Sequence, residues 1–352
     1  MIGEKAMVKN AAVAGACVCC AALLLVFAPQ AVCGATEGLE TCAGIIIPSL
    51  FPFLAVSAFA AASPSCKAAM RFLSPLMRHV FRLPSAASPA VVFGIIGGYP
   101  VGCVTAAQLY ARGEINSEQA QRITSFCVNA GPAFVITAVG SVMLSSIKAG
   151  IILFFSCVTA SVIIGIMLGF TVQKPPADKA KTDSSISDIQ AFVEAVEKAA
   201  TSIIKICAWT VLFACVYAVA ENLGIKKDVL TALGCLFEVT GGCRELAKGS
   251  NLCTVAAVLG WGGLCVCCQV MESVRKAGAK LSVFFAFRVV HAALAAVICS
   301  VLLKVFPIEV NVFSNVTAVA ATGFSYSVPA TVALMCLCAV FVIDLDRSKK
   351  MC

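Results

Sequence analysis

Residues 91–103, V-V-F-G-I-I-G-G-Y-P-V-G-C, are apolar enough for a bilayer, yet they cannot form a smooth membrane helix. Gly97 and Gly98 each weaken a helix, and Pro100 removes a backbone N–H and biases Tyr99 away from helical dihedrals. In hydrocarbon every freed backbone group must find a partner in protein or in a water-lined cavity. A broken helix is therefore buried inside a bundle, either as a kink or, as in transporters, around a substrate. At this point both readings stand.

The rest of the chain supplies the bundle. Of 352 residues, 60% are hydrophobic and 12% charged, with a mean hydropathy of +0.97, where soluble domains carry about 25% charged residues. The expectation is an all-α, polytopic membrane protein whose first partner is the lipid bilayer. The net charge of +8 is dispersed through short loops rather than gathered in one patch. That sets orientation and argues against nucleic acid as a partner. There is no G-x-x-x-x-G-K-[ST] loop and no paired Asp/Glu cluster, so the expectation is no enzyme activity and no cofactor. Most of the 21 cysteines lie inside apolar runs such as C-V-C-C at 17–20 and 265–268. There they read as small packing residues between helices, and only His79 and His291 exist to complete a mixed metal site.

Loop charge orders the spans. Residues 11–28 form a first, uncleaved span, followed by an outer loop holding Glu37 and Glu40, and residues 41–62 return with Pro48 and Pro52 breaking the helix. Residues 63–84 carry Lys67, Arg71, Arg78 and Arg82 among Phe72, Leu73, Met77 and Phe81, a basic amphipathic segment on the inner surface. Residues 88–110 then enter and leave on one face as a re-entrant hairpin. Residues 123–147 go out and 149–172 return. A hydrophilic linker, 173–188, joins the halves. Beyond it lie an amphipathic helix at 189–200 (Phe192, Val193, Val196 and Ala200 on one face), a span at 202–220, a second hairpin at 229–248, and spans at 251–271, 281–303 and 316–342. The second hairpin repeats the first: F-G-I-I-G-G at 93–98 matches F-E-V-T-G-G at 237–242, an offset of 144. Loop charges place the mouths of the two hairpins on opposite faces, the arrangement of an inverted repeat. The organisation is thus a first span and loop (1–40), a first half (41–172), the linker (173–188), a second half (189–342) and a cytoplasmic tail (343–352). The expectation is about eight spans in the cell membrane, two broken hairpins, and both termini on the cytoplasmic side.

Four runs together resemble a known family. S-L-F-P-F-L at 49–54, G-G-Y-P-V-G at 97–102, S-F-C-V-N-A-G-P at 125–132 and R-V-V-H at 288–291 are similar to the YlbJ-type sporulation integral membrane proteins of the Gate, or nucleoside-recognition, superfamily. Spore maturation membrane proteins and the gate domains of ferrous-iron transporters belong there too. The resemblance covers roughly residues 40 to 340, and the extra cysteines and short tail depart from it. It implies a transporter-like gate architecture in an endospore former.

Candidate site residues follow from the breaks and from charges at membrane depth. Gly97, Gly98, Gly241 and Gly242 mark the two hairpins, and Asn129, Gly131 and Pro132 a third interruption. Asn129 suits either a polar ligand or the exposed backbone of a neighbouring broken helix. Glu238 either faces a cavity or sits in a loop with Arg244, Glu245 and Lys248. Arg288 and His291 share one face of a span, about two turns inside Lys280. Arg288 either pairs with Glu238 or extends to the interface. Tyr99, Thr240, Gln269, Ser325 and Tyr326 line the same cavity or bond between helices. The expectation is a transporter-like protein with a central site for a small polar, nucleoside-like solute, serving sporulation, as a homo-oligomer or with sporulation membrane partners. The alternatives are a non-transporting factor for spore envelope assembly and, less well supported, a thiol oxidoreductase using the Cys-x-x-Cys runs.

Overall fold

The computed structural model describes residues 2–172, 186–247, 249 and 251–308, without the side chains of residues 2–6, 8 and 9. The expected span at 316–342, the tail at 343–352, Ser325, Tyr326 and most of the linker lie outside these residues. The described residues form an all-α helical bundle. Among the described residues, five helical stretches are long and apolar enough to cross a membrane: Ala28–Ala62, Ile147–Phe170, Asp188–Glu221, Leu252–Lys276 and Leu281–Val305. Other apolar helices are shorter, including Asn10–Val26 and Ala133–Met143.

The same sequence of elements runs twice. In the first half, after α1 (Ile2–Val26), a long helix is made of α2 (Ala28–Thr41) and α3 (Ile47–Ala62). The surface segment beginning with α4 (Pro64–Ala69) follows. A hairpin of α5 (Ser88–Ile96) and α6 (Tyr99–Ala111) leads to α7 (Ser117–Phe126), which breaks and resumes as a π-helix, Ala133–Met143, before α8 (Ile147–Phe170). The second half has the long helix α9 (Asp188–Glu221) and the hairpin α10 (Lys227–Phe237) and α11 (Val239–Ala247). A broken span follows, α12 (Leu252–Trp261) and α13 (Gly263–Lys276), and then α14 (Leu281–Val305). Packing is reciprocal. α8 packs on α7 and the π-helix and also meets α12, while α14 packs on α12 and α13 and also meets α7. α6 meets α13 as α11 meets the π-helix.

The glycine match identifies the repeat but not its register. The first hairpin breaks at Gly97 and Gly98, between α5 and α6, whereas the second breaks at Glu238, whose backbone is extended (φ −142°, ψ 121°). Aligning the starts of α6 and α11 gives 239 − 99, an offset of 140 rather than 144. On that register Gly242 corresponds to Gly102, and close approach of the hairpin arms explains both. A Cβ on Gly102 would fall 2.9 Å from the Gly94 Cα, and one on Gly242 would fall 2.7 Å from the Cys235 Cα. Gly241 is an ordinary position inside α11.

Three other expectations change. Residues 28–40 are not a loop: α2 is helical and lies along α9, with Gly34 and Gly38 against Ala214, Ala218 and Val211. The prolines at 48 and 52 do not break the long helix. A wide π turn at Cys42–Ile46 absorbs Pro48, and the Ser49 hydroxyl donates to the Ile45 carbonyl at 2.6 Å. Finally, the 189–200 helix and the 202–220 span are one helix, α9, and its buried stripe is Ala191, Ala195 and Ala199, while Val193 is exposed. Small side chains let α3 approach, which the larger apolar residues would prevent.

Candidate functional site

The breaks meet in pairs at the centre of the bundle. Gly98 (φ +106°) abuts Gly131, where a Cβ would lie 3.4 Å from the Gly98 Cα. In the other half Gly263 (φ +80°) leaves no room for a side chain against the Phe237 carbonyl and the Val239 N–H, which flank Glu238. Tyr99 joins the two pairs. Its ring lies against Gly262, and its hydroxyl donates to the Leu259 carbonyl at 2.9 Å in the last turn of α12. Helix ends leave such carbonyls without intrahelical donors, and in a dry core a side chain must supply one. Trp261 does the same for the Leu236 carbonyl at the end of α10, at 3.0 Å.

Asn129 serves backbone. Its amide nitrogen lies 3.2 Å from the Gly94 carbonyl, 3.2 Å from the Phe126 carbonyl and 3.1 Å from the Ser161 hydroxyl. Arg288 and His291 do likewise from α14, and both are fully buried. Arg288 Nη1 donates to the Val128 carbonyl at 2.5 Å, and Nη2 lies 2.9 Å from His291 Nδ1. His291 Nε2 lies 2.9 Å from the Cys157 carbonyl and Nδ1 3.1 Å from the Gly260 carbonyl; a guanidinium can only donate, so Nδ1 accepts from Nη2 and Nε2 donates to Cys157. One Arg–His pair therefore fastens α14 to the break after α7 and to α8. Two buried atoms there have no partner among the described residues, Arg288 Nε and Asn129 Oδ1.

Glu238 does not join Arg288. Its carboxylate accepts from the backbone N–H of Thr240 at 2.9 Å and of Gly241 at 2.6 Å, capping the start of α11. A carboxylate there also answers the positive end of the helix. Glu238, Thr240 and Gly241 line a cavity of about 580 Å³ whose other walls are α2 and α9. Glu37, Glu40 and Thr41 come from α2, and Thr210, Tyr217 and Glu221 from α9. Gln269 reaches the cavity wall through Thr210, 3.4 Å away. Cavity-lining carboxylates outnumber the single guanidinium, Arg244, so hydrogen-bond acceptors dominate.

The structure thus divides the expected residues. Gly97, Gly98, Tyr99, Asn129, Gly131, Arg288 and His291 form a packed junction. Glu238, Thr240 and Gly241 border the cavity, with Gln269 behind it, and Gly242 serves hairpin packing. Reading 28–40 as a loop hid the α2 wall. The available signal was Gly34-x-x-x-Gly38, a spacing that brings two membrane helices together.

Comparison with known proteins agrees with the YlbJ part of the expected resemblance. The chain is similar to the sporulation integral membrane protein YlbJ of Bacillus subtilis (strain 168), with 29% identity over 126 residues. The match covers 36% of this chain and 31% of that protein, so the chain spans about a third of the length of the curated relative it matches. No family model and no solved structure matches.

Proposed function

We propose that this chain is a secondary-transporter-like protein of the cell membrane, with both termini cytoplasmic. Its two inverted halves would close alternately around a small polar solute in the α2–α9–α11 cavity. The observation that supports this most directly is the doubled order of long helix, broken hairpin, broken span and long helix. Its breaks meet at a junction next to the cavity, the setting in which transporters hold substrate. Glu221 and Asn222, at the end of α9 opposite to Asp188, are among the residues that line the cavity. Asp188 accepts from the hydroxyls of Ser63 and Ser65 beside the basic segment, and with that side cytoplasmic the Glu221 end of the cavity would face outward. Acceptor-rich walls suit a solute that presents several donors. The Gate-superfamily resemblance makes nucleosides the first class to assay, the relative's name supports a role in sporulation, and the partners would be a second copy of the chain or other sporulation membrane proteins.

The test is uptake of a labelled panel of nucleosides and other small polar solutes into proteoliposomes, comparing the wild type with Thr240→Trp, which fills the cavity. Saturable uptake that the variant loses while keeping its fold supports transport. No uptake of any solute, with cells carrying Thr240→Trp sporulating normally, would favour the non-transporting envelope factor.

A further inference from the structure

The α2–α9–α11 cavity is thinly floored toward the Asp188 end of α9. Along α9 its wall runs from Asn222 and Glu221 down to Thr210, the wall residue of this helix nearest that end. Lys205 lies only about 7 Å further on, at a rise of ~1.5 Å per residue.

α13 crosses α9 between these two levels. Gln269 Nε2 lies 3.4 Å from the Thr210 hydroxyl, directly behind the cavity wall. One turn on, the Glu272 carboxylate accepts from Lys205 of α9 at 2.8 Å and from Lys276 of its own helix at 2.7 Å. α13 ends at Lys276, so this is the level at which it reaches the basic side. The seam between α9 and α13 is therefore polar from cavity wall to surface, Thr210 with Gln269 and then Lys205 with Glu272. Toward α3 the same stretch of α9 is sealed by apolar packing, Ala199, Ile203 and Ile206 with Leu54. A hydrated solute leaving the cavity on the basic side follows the polar seam. The Lys205 and Glu272 side chains are each 51% exposed. A bridge so exposed adds little to stability and can part without unfolding the bundle.

We propose that the Lys205–Glu272 bridge is the inner gate of this cavity. It ties α9 to α13 while the solute enters from the other end, and it parts to release the solute to the cytoplasmic side. This rests on the transport reading above. Lys276 shares the carboxylate from the same helix, so it orients Glu272 without tying the two helices.

The native Cys33, exposed in the cavity wall, reports the gate. The full chain in inside-out vesicles is treated with a membrane-impermeant maleimide, and labelling of Cys33 is timed by mass spectrometry of its peptide. Glu272→Gln and Lys205→Gln should each raise the rate roughly 5-fold over wild type, the population shift that a half-exposed bridge supports. Lys276→Gln should leave the rate unchanged, and the charge-swapped Lys205→Glu/Glu272→Lys protein should return to it. Unchanged labelling in both single glutamine variants of the bridge overturns the proposal. So does an increase that the swap fails to reverse, which would show loosened packing rather than a lost pair. Uptake of the solute panel by the same proteins keeps the two readings apart. Gated labelling without uptake of any solute would refute transport and leave the gate, whereas uptake without gated labelling would refute the gate alone.

Discussion

The separation of Glu238 from Arg288 makes a sharp prediction, because a chain with two charges at membrane depth invites the assumption that they pair. Glu238→Gln keeps one amide acceptor for the two N–H groups at the start of α11, so it loses about one charge-assisted hydrogen bond, ~1.5–3 kcal/mol. Arg288→Gln leaves the Val128 carbonyl and His291 Nδ1 without their donor, at ~1–3 kcal/mol each. Against this, it removes a buried cation whose desolvation costs several kcal/mol. Those terms oppose each other, so the size of the Arg288 effect alone decides little. The coupling decides. Removing one member of a buried ion pair costs ~3–5 kcal/mol, much of it recovered when the other member also goes. Residues without shared partners add to within about 0.5 kcal/mol. The four proteins, measured by denaturation in detergent followed through Trp209 and Trp261, should therefore give additive effects, and the charge-swapped Glu238→Arg/Arg288→Glu protein should show no recovery. A coupling of about 3 kcal/mol or more would mean that the two groups meet, and the separate roles assigned to them would be wrong.

Two further measurements test the repeat and the junction. Gly102→Ala places a Cβ on the Cys127 carbonyl oxygen and 2.9 Å from the Gly94 Cα, where backbone cannot yield, and should cost ~1–3 kcal/mol or more. Gly241→Ala meets only the Glu238 carboxylate at 3.4 Å and should be neutral or gain up to ~1 kcal/mol of helix propensity. A cost at Gly241 as large as that at Gly102 would mean that Gly241 is closely packed and would count against the offset of 140. Tyr99→Phe should cost ~1–3 kcal/mol by stranding the Leu259 carbonyl, and no loss of thermal stability would show that this carbonyl has another donor.

Composition and local chemistry decided the class of this protein and much of its outline. A chain this apolar must satisfy its backbone inside helices, and Gly97, Gly98 and Pro100 must interrupt one of them wherever they are placed. Gly131 and Pro132 do the same after α7. Those consequences belong to the residues themselves, so they were legible without a fold. The second interruption was not, because Phe237, Glu238 and Val239 carry no helix-breaking residue. Glu238 is extended because Gly263, from another helix, packs its backbone against that of Phe237 and Val239. The glycine match therefore pointed to the right hairpin one turn out of register. Likewise Glu37 and Glu40 looked like loop residues, since two carboxylates without neighbouring cations suit water. Only α9 lying along Gly34 and Gly38 makes that stretch a helix and turns its carboxylates toward a cavity. The partners of Asn129, Arg288 and His291 were undetermined for the same reason. Their acceptors are carbonyls at breaks and on neighbouring helices, and a carbonyl's lack of a partner is a property of the tertiary structure that no residue type records.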